Sequence, residues 1–150
     1  MDREDLPARG RFVGREHRFP VRVYFEDTDL SGLVYHANYL RFMERARSDM
    51  LAAAGIDQRA AWEAGEGVYV IADLHIRYRS PARLDDALLV ASTLERFAAA
   101  SATIHQRVML GREVLAEATV LAAFVAPGGG RPRRQPRDWL TIFKGLLKEH

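Results

Sequence analysis

The stretch from His36 to Ala54 is the one long run in this 150-residue chain whose apolar side chains recur at helical spacing, and almost everything after Val68 alternates instead. Leu40, Met43, Met50 and Ala54 form a stripe that Ala37, Ala46 and Ala53 widen. Arg41, Glu44, Arg45, Ser48 and Asp49 lie largely off it, with Arg45 and Asp49 at i,i+4. At about 1.5 Å per residue such a helix would be roughly 28 Å long, a core element rather than a connection. Gly55 suits the residue that ends a helix in the left-handed region.

The alternating runs set what this helix must pack against. Val68, Val70, Ala72, Leu74, Ile76 and Tyr78 are expected on one face of a long strand, with Asp73, His75, Arg77 and Arg79 on the other. Ser80-Pro81 ends it, and Arg83 to Asp86 form a turn before a strand carrying Leu88, Val90 and Leu94. Ser101 to Leu110 and Val114 to Ala126 make two more, joined by a Gly111-Arg112 turn, and the even positions from Val114 to Phe124 are all apolar. A short helix is expected around Gln58 to Ala64. Upstream, Val21, Val23 and Phe25 alternate with Arg22 and Tyr24 and predict a short strand. The result is an α+β order of one strand, one helix and four strands, an antiparallel sheet wrapped around one long central helix. A single layer of sheet leaves an outer face and an edge exposed, which predicts a homodimer or a larger homo-oligomer.

The junction between the first strand and the helix concentrates the chemistry. Asp27 and Asp29 end the strand, Ser31-Gly32 turns the chain, and the helix begins near His36. The first turn of a helix leaves backbone N–H groups without intrahelical partners, and the helix dipole adds positive charge there. A carbonyl oxygen fits such a place, with a nearby carboxylate to act as nucleophile or as base for a water. The same residues are also ordinary caps and turn formers, and spacing alone does not separate the two readings.

The segment EDTDLSGLVYHANYLRFMERARSDML resembles the signature of the hotdog-fold acyl-CoA thioesterases of the 4-hydroxybenzoyl-CoA thioesterase type, and is most like those associated with the Tol-Pal system. The likeness runs from about Pro20 to about Pro127, with VRVYFEDTD, GLVYHANYL, ERAR and YRSPARLDD as its most specific pieces. It implies a hotdog domain over residues 20–127 and an α+β fold. It implies that Asp29 acts on the thioester and that the backbone N–H of His36 polarises its carbonyl. Asn38 and Tyr39 complete the motif as residues that shape the substrate site, and Ser101 matches a family serine at the start of a strand. Asp27 is then a turn carboxylate. Relatives can carry a basic cluster before that serine, where this chain has Phe97-Ala98-Ala99-Ala100, so Arg96, Arg79, Arg83 or the tail arginines must serve the coenzyme A phosphates. The resemblance also implies dimers or dimers of dimers with active sites at the subunit interface.

Composition removes other readings. The chain has no cysteine, which excludes disulfides, thiolate metal sites and a Cys nucleophile. Its five histidines (17, 36, 75, 105 and 150) show no metal-ligand spacing, and no G-x-S-x-G, Walker or dinucleotide-binding glycine pattern occurs. No cofactor and no metal are expected. Residues 1–19 are read as a polar extension without a signal-peptide core, which predicts a cytoplasmic protein. A net charge of +2 gives no reason to expect nucleic acid.

Residues 128–150 divide into a flexible basic linker, PGGGRPRRQPR, and a docking helix from Asp138 to Lys148 with Trp139, Ile142, Phe143, Leu146 and Leu147 on one stripe. The linker arginines suit coenzyme A phosphates, an anionic surface at the cytoplasmic face of a membrane, or plain solvent. Glu44 is read as the partner of a neighbouring arginine. The leading functional expectation is hydrolysis of an acyl-CoA or acyl-carrier-protein thioester. Two others stand beside it: a hotdog hydratase or dehydratase using His36 or Glu44, and a non-catalytic acyl-binding or envelope-associated adaptor.

Overall fold

The computed structural model describes residues 1–147. The elements are β1 (Arg11–Val13), β2 (Glu16–Arg22), α1 (His36–Ala53), α2 (Gln58–Glu63), β3 (Val68–Tyr78), β4 (Ala87–Ala98), β5 (Ser101–Leu110), β6 (Glu113–Val125) and α3 (Arg137–Leu146). The six strands form one antiparallel sheet in the order β1-β2-β4-β5-β6-β3. The long helix packs across β2, β4 and β5. Phe42, Met43 and Ala46 of α1 meet Val90, Val108, Ala118 and Val120 of the sheet in one buried cluster. Burial of this kind is worth roughly 1.5–3 kcal/mol for each large apolar side chain, and it fixes the helix on the sheet.

Helix α1 ends where its sequence says it should. Ala54 caps it, Gly55 takes φ 92°, and the Ile56 and Gly55 N–H groups donate to Leu51 O (2.9 Å) and Ala52 O (3.1 Å). This pattern satisfies two of the free carbonyls at the helix end and brings Ile56 against Leu51 in the second buried cluster.

Four expectations change. The strand expected at Val21–Phe25 lies earlier, at Glu16–Arg22, and Phe25–Asp27 is a 3-10 turn with Phe25 81% exposed. Asp27 causes this, because its carboxylate accepts the Tyr24 N–H at 2.8 Å and bends the chain out of the sheet. Residues expected in a polar extension therefore build β1 and half of β2, with His17 and Val21 buried.

The single alternation expected along β3 is also broken, since a bulge at Ala72 shifts the register between Ile71 and Asp73. Before it Tyr69 and Ile71 pair with Phe124 and Ala122 on the helix side, and after it Leu74, Ile76 and Tyr78 do the same with Val120, Ala118 and Ala116. Val70 faces outward, 44% exposed.

The stretch read as a flexible linker is held down. Arg133 N–H donates to Phe124 O (2.9 Å), its Nη1 to Gly65 O (2.7 Å), and Gln135, 1% exposed, bonds Ala98 O and Ala99 O and accepts from the Tyr69 hydroxyl. Behind it α3 buries Trp139 and Phe143 against the sheet. The expected end of that helix at Lys148, and His150, lie outside the described residues.

Asp49, expected opposite Arg45, turns instead to His17, whose Nε2 lies 2.8 Å from its Oδ2, while the Gly10 N–H donates to the same oxygen at 2.9 Å. This ties α1 to β2. His17 is fully buried with Nδ1 unpartnered, and burial, opposed by Asp49, holds its pKa below the ordinary 6.5. The unfolded chain protonates this ring first, so the contribution is fully present above about pH 6.5 and is lost as the pH falls below it. Stability measured by urea unfolding should fall as the pH is lowered from 7.5 to 5.5. His17→Gln, which keeps a donor for Asp49, should flatten that slope; an unchanged slope would assign it to other groups.

Candidate active site

The turn between β2 and α1 is built on one residue. Asp27 uses its carboxylate on Tyr24 N–H, and its main-chain oxygen accepts from both Tyr35 N–H (2.9 Å) and Asn38 Nδ2 (2.8 Å). Asn38, 7% exposed, thus anchors the helix start to the turn and does not line the cleft beside it. Tyr39 anchors from the next position: its hydroxyl, buried, accepts the Ala82 N–H at 2.8 Å, and the Val34 N–H donates to Ala82 O at 2.9 Å. The loop after β3 therefore clamps the loop before α1.

Within this frame Asp29 and Ser31 form a tight local pair. Asp29 Oδ1 accepts from the Ser31 N–H (2.8 Å) and from the Ser31 hydroxyl, and the Asp29 main chain exchanges bonds with Leu33 and Gly32. Gly32 sits at φ 81°, where a side chain would strain the turn. The Ser31 hydroxyl first, then its N–H, with a smaller part from nearby His36, hold the exposed Asp29 carboxyl below its usual range. Oδ2 is left facing out among the described bonds.

An open cleft of about 340 Å³ joins this carboxylate to the helix start, lined by Asp29, Ser31, His36, Tyr39, Tyr78 and Arg79 among others. The helix N-terminus has no side-chain cap and no acid in its first turn. The Asn38 N–H is taken by Tyr35 O (2.8 Å), while those of His36 and Ala37 have no partner among the described bonds and stand beside a cleft that also holds a carboxylate, a pairing that can bind a carbonyl oxygen and attack its carbon or a water beside it. The His36 ring is exposed and packs between Tyr35 (4.5 Å between centroids) and Tyr78 (6.2 Å), and the Tyr78 hydroxyl donates to His36 O at 2.9 Å. That last bond fixes the first turn of the helix against β3.

The structure brings Asp29, His36 and Tyr39 together and leaves Ser101 apart. Ser101 pairs with Ala123 and lines a separate pocket with Arg96 and Asp73, whereas Tyr78 pairs with Ala116. Seven residues of β6 separate those levels, about 23 Å at ~3.3 Å per residue. Of the arginines named for phosphates, Arg79 lines the cleft and donates to Glu117 (2.9 Å), and Arg83 pairs with Leu33 at its rim. Arg133 is taken up by carbonyls. Glu44 forms no ion pair among the described residues. Sequence reasoning missed Ser31 as a partner for Asp29 and Tyr78 as a brace; the D-x-S spacing was the available signal for the first.

Ser31→Ala removes one of the two bonds to Asp29. If turnover depends on the ionised carboxylate, the acid limb of the kcat/KM profile should move upward toward the ordinary carboxylate range, while turnover at pH 7.5 falls by less than about tenfold. A limb that stays in place would separate it from Asp29.

Comparison with known proteins identifies the class, a thioesterase of hotdog architecture. A family model described as the thioesterase-like superfamily matches residues 23–142. The chain belongs to that superfamily. It is 39% identical over 128 residues to the acyl-CoA thioesterase YbgC of Haemophilus influenzae, covering 85% of this chain and 94% of the relative. The acyl-CoA thioester hydrolase YbgC of an Escherichia coli O6:H1 strain is also 39% identical, over 85% and 95% of the two chains. Among solved structures, one from Bartonella henselae described as a "Probable Thioesterase" superposes with a TM-score of 0.75 at 35% identity, over 81% of this chain and 99% of that one. A Synechocystis 1,4-dihydroxy-2-naphthoyl-CoA thioesterase shares the fold, with a TM-score of 0.79 at 21% identity over 86% and 96% of the two chains. No helix among the described residues is long and apolar enough to cross a membrane.

Proposed function

We propose that this chain hydrolyses acyl-CoA thioesters, with Asp29 acting on the thioester carbon and the N–H groups at the start of α1 holding the carbonyl oxygen. The observation that carries this reading is the single cleft shared by the Asp29 carboxylate and the uncapped helix N-terminus. The superfamily and the named activity of the YbgC relatives support the substrate class.

Asp29 is ionised throughout the working range, because the Ser31 bonds stabilise its anion. The anion can act in two ways, by direct attack on the carbonyl carbon or by taking a proton from water, and direct attack is the first route. In that route Oδ2 bonds to the carbonyl carbon, the carbonyl oxygen gains charge against the helix N–H groups, and the C–S bond breaks to leave thiolate and an acyl-aspartyl anhydride. Water then cleaves the anhydride, releasing the acid and restoring Asp29. In the alternative route Asp29 takes a proton from the water that attacks, and both routes give one acid and one thiol.

Arg79 and Arg83, at the cleft and its rim, are assigned to the coenzyme A phosphates in place of the absent basic cluster. Ser101 enters the site as a contribution from a second copy of the chain, since it lies at the far end of the sheet in its own. The working form is then a homodimer or a dimer of dimers. An acyl-carrier-protein thioester presents the same reacting group and is the alternative donor.

Steady-state release of thiol from a panel of acyl-CoAs tests the activity. Asp29→Asn should lower kcat by about two or more orders of magnitude with little change in KM or Tm. Asp27→Asn should first cost stability, because it removes the Tyr24 bond that shapes the turn. A folded Asp29→Asn with normal turnover beside an inactive Asp27→Asn would overturn the assignment.

A further inference from the structure

The N-terminal arm stands off the long helix, although its root is tightly built. The Gly10 N–H and His17 Nε2 converge on Asp49 Oδ2 at 2.9 and 2.8 Å, and a Cβ on Gly10 would lie 2.5 Å from Arg18 O, so only glycine lets the chain pass this close to β2. Residues 1–9 form no described hydrogen bond outside the arm itself. Leu6, Pro7, Ala8 and Arg9 instead face α1 across a groove of about 770 Å³, with Phe19 of β2 on its floor.

Three arginines border this space, Arg9 from the arm and Arg41 and Arg45 from α1. None of them forms a side-chain hydrogen bond or ion pair among the described residues. Of the two acids at the groove, Asp49 is already engaged by His17 and Gly10, and Glu44 is exposed and hydrated. Arg41 and Arg45 are one helical turn apart, so both guanidinium groups can meet the same anion.

Much of the remaining wall is apolar, from Leu6, Pro7 and Ala8 on one side to Ala52 on the other. An inorganic anion would meet the arginines and leave these walls wet, and an uncharged chain would cover the walls and leave the arginines to water. A carboxylate on an alkyl chain matches both, and the volume is that of a small-molecule site. From Arg41 to Ala52 the groove follows α1 for eleven residues, about 16 Å, the length of an extended chain of about twelve carbons.

The groove shares no lining residue with the reacting cleft. It lies toward β1 and β2, at the sheet edge opposite β3. A second copy that brings Ser101 to the cleft docks on the side of Tyr78 and Arg79 and leaves the groove open.

We infer that this groove is a second, non-catalytic site for long-chain fatty acid anions, with the carboxylate between Arg41 and Arg45 and the chain between α1 and the arm. The inference goes beyond the hydrolase reading and stands without it, although the acid released by that reaction belongs to the same chemical class.

The test is calorimetric titration of the full-length protein with dodecanoate below its micellar concentration. Acetate, which has the carboxylate without the chain, and dodecyltrimethylammonium, which has the chain with the opposite charge, should both bind at least about tenfold more weakly. Replacing Arg41→Gln and Arg45→Gln together should weaken dodecanoate binding at least about tenfold, while thiol release from dodecanoyl-CoA stays within about twofold of wild type. Leu6→Asp, an exposed change on the arm, should also weaken binding, and it serves if the double variant does not fold. No saturable binding of dodecanoate, binding that both variants leave unchanged, or equal binding of the cationic chain would overturn the proposal. Light scattering tests the other occupant: a smaller particle for the double variant would make the groove a contact between copies and overturn the site.

Discussion

The main-chain oxygen of Asp27 accepts two hydrogen bonds at once, from the Tyr35 N–H and the Asn38 side chain, and the shape of the turn before α1 depends on that pair. Without it the chain leaving β2 would have no fixed distance to the first turn of α1. With it, residues 28–34 become a closed loop whose two ends are pinned, and Asp29 cannot swing away from the helix start. The Asp27 carboxylate adds a third contact, to Tyr24, that bends the strand out of the sheet in time to form the loop. A conventional cap at Tyr35 would have satisfied the helix and closed the site. The helix start is instead left without a side-chain cap, at a cost of the size that caps usually recover, about 1 kcal/mol.

A second layer of contacts protects this arrangement. Tyr39 passes the constraint from α1 to the loop at Ala82, and that loop returns it to Val34. Tyr78 closes the circuit by bonding His36 O. The Asp29 carboxylate therefore sits on an exposed loop with buried supports, which combines accessibility with a fixed geometry. His17 and Asp49 extend the same logic to the middle of the helix, joining α1 to β2 through a buried polar contact.

How far the sequence could be read follows the chemistry of each segment. Helix α1 and strands β4 to β6 were legible because their buried residues are apolar and regularly spaced, and Gly55 marked the helix end in advance. Asp29, His36 and Tyr39 were singled out through a motif and lie at one cleft, and Asp27 was read as a turn residue. What escaped was held by polar atoms. Strand β2 was hidden because a histidine is one of its inward residues, and its stabilising partner is 32 residues away on α1. The tail was read as flexible from its glycines and arginines, while a buried Gln135 and the carbonyls of Gly65 and Glu66 anchor it. The bulge at Ala72 left the apolar pattern intact in composition and reversed which residues face the helix. Arg47 stood out in the sequence only as part of ERAR, because an arginine on a helix is ordinarily solvated; here it is buried and bonded to Gln106.

In the proposed mechanism one cleft presents an aspartate and an uncapped helix end to the two sides of the same carbonyl. A crystal structure of the wild-type protein with a non-hydrolysable ketone analogue of an acyl-CoA tests it most directly. The ketone oxygen should lie within hydrogen-bonding distance of the N–H groups at His36 and Ala37, with Asp29 Oδ2 directed at the carbonyl carbon or at a water against it. A ketone bound with its oxygen away from the helix start, or with Asp29 turned from the carbon and still engaged only with Ser31, would contradict it.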